Sequence, residues 1–134
     1  MPKLLGVGVI GCGNISAAYM RLSPLFRGFE MRACADINPD AATERAQEFG
    51  LRASTIEELL SAEDIDIIVN LTIPAAHFGV SKQILNSGKN VYSEKPFVLS
   101  AAEGLELAKL AKSKGLRIGS APDTFLGGAH QLAR

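Results

Sequence analysis

The chain has 134 residues, 47% of them hydrophobic, which suits one domain with a packed core. Lys plus Arg and Asp plus Glu both number 14, so no charge excess draws it to nucleic acid or to an anionic membrane surface. The apolar start after Lys3 runs quickly into glycines and lacks the pattern of a signal peptide, and no apolar run has the length of a bilayer span.

The first predicted element is a buried strand over Leu4 to Ile10, a near-continuous apolar run. Gly11-Cys12-Gly13 follows, and a helix is predicted from Asn14 to about Leu25, with Asn14 or Ser16 near its start and Pro24 weakening its end. Phe29 to Ala35 reads as a second strand, closed by Asp36. Asn38-Pro39 reads as an N-cap with a first-turn proline, opening a helix that Gly50 stops. Leu51 to Ser54 is a short strand. Thr55 and Glu58 are spaced as a capping box for a short helix to about Ala62. Ile65 to Leu71 is a strand rich in β-branched residues, followed by a helix from about Ala75 to Ser87. Val91 to Ser93 is a strand, Ser100 caps a helix ending near Lys114-Gly115, and Leu116 to Ser120 is the last strand. Strands alternating with helices predict an α/β fold of Rossmann type: a doubly wound parallel sheet with helices on both faces.

The opening strand, glycine turn and helix start form a phosphate cradle. Gly11 permits the turn, Gly13 lets the backbone approach a diphosphate, and the helix N-terminus offers free N–H groups. The third small position of the G-x-G-x-x-G pattern is Ser16 here. Asp36, at the end of the next strand, is placed to accept hydrogen bonds from both ribose hydroxyls of an adenosine and to repel a 2′-phosphate. Ile37-Asn38-Pro39 holds no Arg to receive that phosphate, so NAD is expected over NADP. The plainer alternative is that Asp36 only ends its strand or caps the next helix.

Two later strand ends also carry polar residues. In Thr72-Ile73-Pro74-Ala75-Ala76-His77, Thr72 and Pro74 shape a rigid turn, and His77 falls one helical turn inside, where it either reaches cofactor or substrate or is a solvated or capping side chain. In Glu94-Lys95-Pro96, Pro96 keeps Lys95 out of the helical region, so Lys95 projects from a strand end. A cation there can assist proton departure from a substrate hydroxyl, with Glu94 orienting it or holding the cofactor ribose; an ordinary exposed turn is the alternative. Cys12 and Cys34 have no stapling pattern and are expected as free thiols in a reducing cytoplasm. Neither C-x-x-C nor H-E-x-x-H occurs, so no metal is expected.

Together, G-V-I-G-C-G-N-I at 8–15, A-D-I-N at 35–38, T-I-P-A-A-H at 72–77 and E-K-P at 94–96 resemble the N-terminal NAD(P)-binding domain of the glucose–fructose oxidoreductase and inositol dehydrogenase family, in order and spacing along the whole chain. The resemblance implies that Gly11, Gly13, Asn14 and Ile15 approach the diphosphate and that Asp36 binds the adenosine ribose. It implies that Thr72, Pro74 and His77 line the cofactor cleft, that Lys95 stands beside nicotinamide and substrate as the catalytic residue, and that Glu94 is on the cofactor side. The implied activity is hydride transfer between NAD and a hydroxyl-bearing carbon of a sugar, inositol or related polyol. A non-catalytic dinucleotide-binding regulatory or scaffold protein is the alternative, and a methyl-donor enzyme, which leaves E-K-P unexplained, is a third.

Family members continue into a substrate domain bearing an Asp-x-x-x-His pair. Residues 1–120 are therefore expected as the dinucleotide-binding domain, and 121–134 as the connection and the start of a helix leading to a domain missing here. A piece of a longer enzyme, rather than a naturally short product, is the expected origin; such a piece would bind cofactor without completing catalysis. His130 lies in the connection and is not the family's catalytic His. Asp123-Thr124-Phe125 stands where many members have an Asn-Arg pair, which leaves substrate roles at those positions open. Homo-oligomer formation is left open as well.

Overall fold

The computed structural model describes residues 3–122 and 127–133. Six parallel strands form one sheet in the order β3-β2-β1-β4-β5-β6. They are β1 Leu5–Ile10, β2 Phe29–Ala35, β3 Arg52–Ala53, β4 Ile67–Asn70, β5 Asn90–Ser93 and β6 Ile118–Ser120. The helices are α1 Asn14–Leu22, α2 Pro39–Phe49, α3 Ile56–Ser61, α4 Pro74–Asn86, α5 Ala101–Ser113 and α6 Gly128–Leu132. The predicted doubly wound fold is what the chain adopts. The strand order reverses between β1 and β4, which opens a crevice at the carboxyl ends of these two strands.

The local signals act as read. Asn38 caps α2 by accepting from Asp40 N–H at 3.1 Å. Thr55 and Ser100 each form a complete capping box, with Glu58 and Glu103. The edges differ where tertiary pairing decides. Residues 65–66 and 71 flank β4 rather than extend it, and Ser23–Leu25 after α1 is a 3-10 turn around Pro24, whose ring leaves no N–H to continue an α-helix. The N-cap of α1 is Gly13, with no side-chain cap, rather than Asn14 or Ser16.

Successive side chains of β1 point to opposite faces of the sheet and feed two cores. Val7 and Val9 join Cys34, Val69, Met20 of α1, and Ala42 and Ala46 of α2. Ile10 joins Ile68, Leu59 of α3, Ile84 and Leu85 of α4, and Leu107 of α5. Both layers fix the strand ends relative to one another, and the candidate site lies along those ends. The described residues include no helix long and apolar enough to cross a membrane. Cys12 and Cys34 are free thiols, as expected, and both are buried. No described group of three or more His, Cys, Asp or Glu is placed to hold a metal. The Asp123-Thr124-Phe125 positions lie outside the described residues.

Candidate dinucleotide-binding site

The glycine loop leaves β1 pinned to both neighbouring strands. Gly11 N–H donates to Ala35 O at 2.9 Å, and Leu71 N–H donates to Ile10 O at 2.8 Å. Gly11 has φ +103°, and a Cβ there would stand 2.6 Å from the Leu71 carbonyl and 2.9 Å from Thr72 N. Both the turn and the close passage of two chain segments therefore require glycine. Gly13 is different. Its φ is −73°, and a Cβ would meet nothing within 4 Å. That open space lies over the uncapped N-terminus of α1, beside exposed Asn14 and Ile15. The residues present fit a diphosphate here: backbone N–H groups without side-chain partners face open space that a side chain at Gly13 would enter. Ser16, in the third small position, is fully buried and its hydroxyl donates back to Gly13 O at 2.6 Å, so its extra oxygen is satisfied. Arg45 of α2 brings its guanidinium beneath the loop, Nη2 lying 3.5 Å from Gly13 O.

Asp36 links the loop to the next strand end. Its Oδ2 accepts from Cys12 N–H at 2.7 Å and its Oδ1 from Asn38 N–H at 2.8 Å. The carboxylate thus caps the turn and also faces the cradle, and each oxygen keeps acceptor capacity outward. Beside it lies a hollow of about 480 Å³ lined in part by Asp36, Ile37, Thr55, Glu57 and Glu58. Ile37 is 91% exposed, and no Lys or Arg is among the residues lining this hollow. Next to Asp36, the Cys12 thiol donates to Ala35 O and the Cys34 thiol to Ala42 O, each at 3.5 Å. The interaction between the two neighbouring thiols, with burial, pushes the Cys12 thiol up, and the same interaction lowers Cys34.

On the other side of β1, Asn70 closes β4 and is fully buried. Its amide donates to His77 O and Ser81 Oγ, each at 3.0 Å, and its Oδ1 accepts from Thr72 Oγ1 at 2.6 Å and Thr72 N–H at 3.3 Å. His77 is 1% exposed, with Nδ1 at 2.6 Å from Pro96 O and Nε2 at 2.7 Å from Thr72 O. The ring is therefore neither solvated nor presented to the cleft. It clasps the loop after β4 to the loop after β5, because α4 starts at Pro74 and turns residue 77 inward. Thr72 is half-buried and Pro74 exposed at the crevice.

Glu94 follows β5 and its N–H donates to Asn70 O at 3.0 Å. Its Oε1 accepts from Tyr19 Oη at 2.8 Å and its Oε2 from Lys95 N–H at 2.9 Å. Lys95 is exposed, and its ammonium has no hydrogen bond or ion pair among the described residues. The structure thus brings Gly11, Gly13, Asn14, Ile15, Asp36, Thr72, Pro74, Glu94 and Lys95 to one edge of the sheet and withdraws His77. Sequence reasoning missed Asn70, Tyr19 and Arg45. For Asn70 a signal existed, a polar residue ending the apolar run Ile67–Asn70; for the other two none did.

A glycine cradle at the strand-order reversal, an acidic residue at the end of β2, and open strand ends at β4 and β5 define a nucleotide-binding Rossmann domain. Residues 5–121 match the model of the GFO/IDH/MocA oxidoreductase family, described as an NAD-binding Rossmann fold, and the chain belongs to that family. Inositol 2-dehydrogenase of Gluconacetobacter diazotrophicus is 30% identical over 118 residues, which are 85% of this chain and 35% of that protein. The structure of GenD2 from gentamicin A biosynthesis, in complex with NAD, superposes with a TM-score of 0.90 at 28% identity, over 98% of this chain and 39% of that one. Biliverdin reductase from Synechocystis sp. PCC 6803, in complex with biliverdin and NADP+, gives a TM-score of 0.84 at 26% identity, over 95% and 40%. The chain thus spans little more than a third of the length of each of these proteins.

Proposed function

We propose that this domain binds NAD in preference to NADP and serves an oxidoreductase that moves a hydride to or from a hydroxyl-bearing carbon of a sugar, inositol or related polyol. The observation that carries the reading is the Asp36 carboxylate, held between the glycine loop and α2 and facing a hollow lined by acidic, hydroxyl and apolar groups without a cation. A 2′-phosphate placed there would meet like charge and no cation. Gly11, Gly13, Asn14 and Ile15 hold the diphosphate, Asp36 the adenosine ribose, and Thr72 and Pro74 border the crevice. When bound, the nicotinamide ring supplies the hydride acceptor or donor. The free, exposed Lys95 ammonium donates a hydrogen bond to the substrate oxygen and favours departure of its proton, which makes Lys95 the catalytic residue of this domain. Glu94 stands on the nicotinamide side. On this reading the 134 residues hold cofactor, while turnover needs more chain, of the kind by which the relatives exceed this one in length, and the buried free thiols suit work in the reducing cytoplasm.

Calorimetric titration of the chain with NADH and then NADPH tests the reading. Tighter NADH binding is expected, and the double change Asp36→Ser with Ile37→Arg should move the preference toward NADPH by at least about tenfold. Tighter binding of NADPH by the unaltered chain would refute the role given to Asp36.

A further inference from the structure

Tyr19 has a part that none of the sequence motifs assigns. It lies in the second turn of α1, and its hydroxyl reaches Glu94 Oε1 at 2.8 Å across 75 positions of sequence. The second oxygen of Glu94 takes Lys95 N–H at 2.9 Å, and the Glu94 backbone N–H is tied to Asn70 O at 3.0 Å. A Glu side chain free in solution has several rotamers; one tied at both carboxylate oxygens and at its own backbone has one. Each oxygen spends one acceptor position on these bonds and retains another, so the fixed carboxylate can still receive ligand hydroxyls. The Tyr19 ring packs beside the cluster that holds Val9, Met20 and Val69, so its body is anchored apart from its hydroxyl.

The place of this triad along the sheet matters. Neighbouring strands lie about 4.8 Å apart, so Asp36 after β2 and Glu94 after β5, three strands away, are separated by roughly 14 Å. That distance divides a dinucleotide into its halves, with adenosine at Asp36 and nicotinamide nucleoside at Glu94. Helix α1 spans the gap, since its N-terminus borders the diphosphate cradle and Tyr19 lies about 9 Å further along its axis.

We infer that Tyr19 is a positioning residue for the nicotinamide half of the cofactor: its hydroxyl orients the Glu94 carboxylate toward the ribose on that side and, through Glu94, holds the backbone of Lys95. The inference rests on the nucleotide reading above. It adds that α1 couples the diphosphate cradle to the loop that carries the catalytic lysine.

The test uses NADH and ADP as paired probes on the 134-residue chain. ADP keeps the adenosine and the diphosphate and lacks the nicotinamide nucleoside, so a loss of general structure weakens both, and a loss of Glu94 orientation weakens only NADH. Tyr19→Phe keeps the ring and its packing. It should weaken NADH roughly five- to tenfold, the net effect of one typical intramolecular hydrogen bond, with ADP affinity held within about twofold. Glu94→Ala should weaken NADH at least as much, and adding Tyr19→Phe in that background should change nothing further. Equal losses for NADH and ADP, no loss for either, or the same additional loss in the Glu94→Ala background would each overturn the assignment. A wild-type chain that binds neither probe refutes the nucleotide reading itself; a wild type that binds both, with a Tyr19→Phe variant that behaves like it, refutes only the role of Tyr19.

Discussion

Gly11 and Gly13 stand two residues apart in one loop and should respond oppositely to the same substitution. Gly11→Ala places a side chain on a backbone with φ +103° and sets its Cβ 2.6 Å from the Leu71 carbonyl. The positive φ costs about 1–2 kcal/mol for a residue with a Cβ. The contact adds about 1–3 kcal/mol as overpacking, because the struck atoms are backbone. Leu71 cannot slide away freely, since its own N–H is bonded to Ile10 O at 2.8 Å and holds the end of β4 against β1. The sum is about 2–5 kcal/mol, which in a domain of this size lowers Tm by roughly 10 °C or more. Gly13→Ala meets no atom within 4 Å and has φ −73°, so it costs only the difference between Gly and Ala as an N-cap, below about 1 kcal/mol. Its methyl group does enter the space over the α1 N-terminus, and NADH affinity should fall at least about tenfold, near 1.4 kcal/mol. Thermal and urea melts followed by far-UV circular dichroism read the first effect, the chain having no tryptophan, and calorimetry reads the second. A Gly11→Ala protein that melts with the wild type, or a Gly13→Ala protein that binds NADH unchanged, would refute the division of labour between the two glycines.

His77→Ala removes both ring contacts of the clasp and leaves the Thr72 and Pro96 carbonyls without it. Stability should drop by about 2–4 kcal/mol in urea melts, whereas a loss of NADH affinity at unchanged stability would return His77 to the cleft. On the role proposed for Lys95, Lys95→Ala, made in a form of the protein that turns over, should lower kcat by about 10²–10⁴ and change NADH affinity little, as measured by steady-state kinetics and titration; undiminished turnover would remove Lys95 from the chemistry. The Arg52 guanidinium, 3.0 Å from Asp64, holds that carboxyl below the usual carboxylate range. Its folded value lies below its unfolded one, so the pair stabilises above about pH 4 and the contribution is lost as pH falls through the folded value. Both groups are largely exposed, so Arg52→Ala should flatten the acid limb of stability against pH by less than about 1 kcal/mol.

The order of elements, the caps at Asn38, Thr55 and Ser100, and the glycine loop were all legible in the chain, because each depends on residues within a few positions of one another. Periodicity and capping act inside one segment, and their physics is complete there. The strand-end location of Asp36, Glu94 and Lys95 followed once alternation of strands and helices implied a parallel sheet. What only the tertiary structure decided is how those ends meet. Gly11 is demanded by the passage of Leu71, 60 positions later, as much as by its own φ. His77, placed in the cleft by motif, is instead buried as a clasp on Pro96, 19 positions on. Asn70 has its donors and acceptors taken up by the loop and helix that follow it, and Tyr19 fixes a carboxylate 75 positions away. Crossover connections carry the chain across a helix before each strand returns, so partners in the site are strangers in sequence. A linear pattern can name such residues as polar and well placed, but the choice between facing a ligand and bonding a neighbouring loop is made by packing across the sheet.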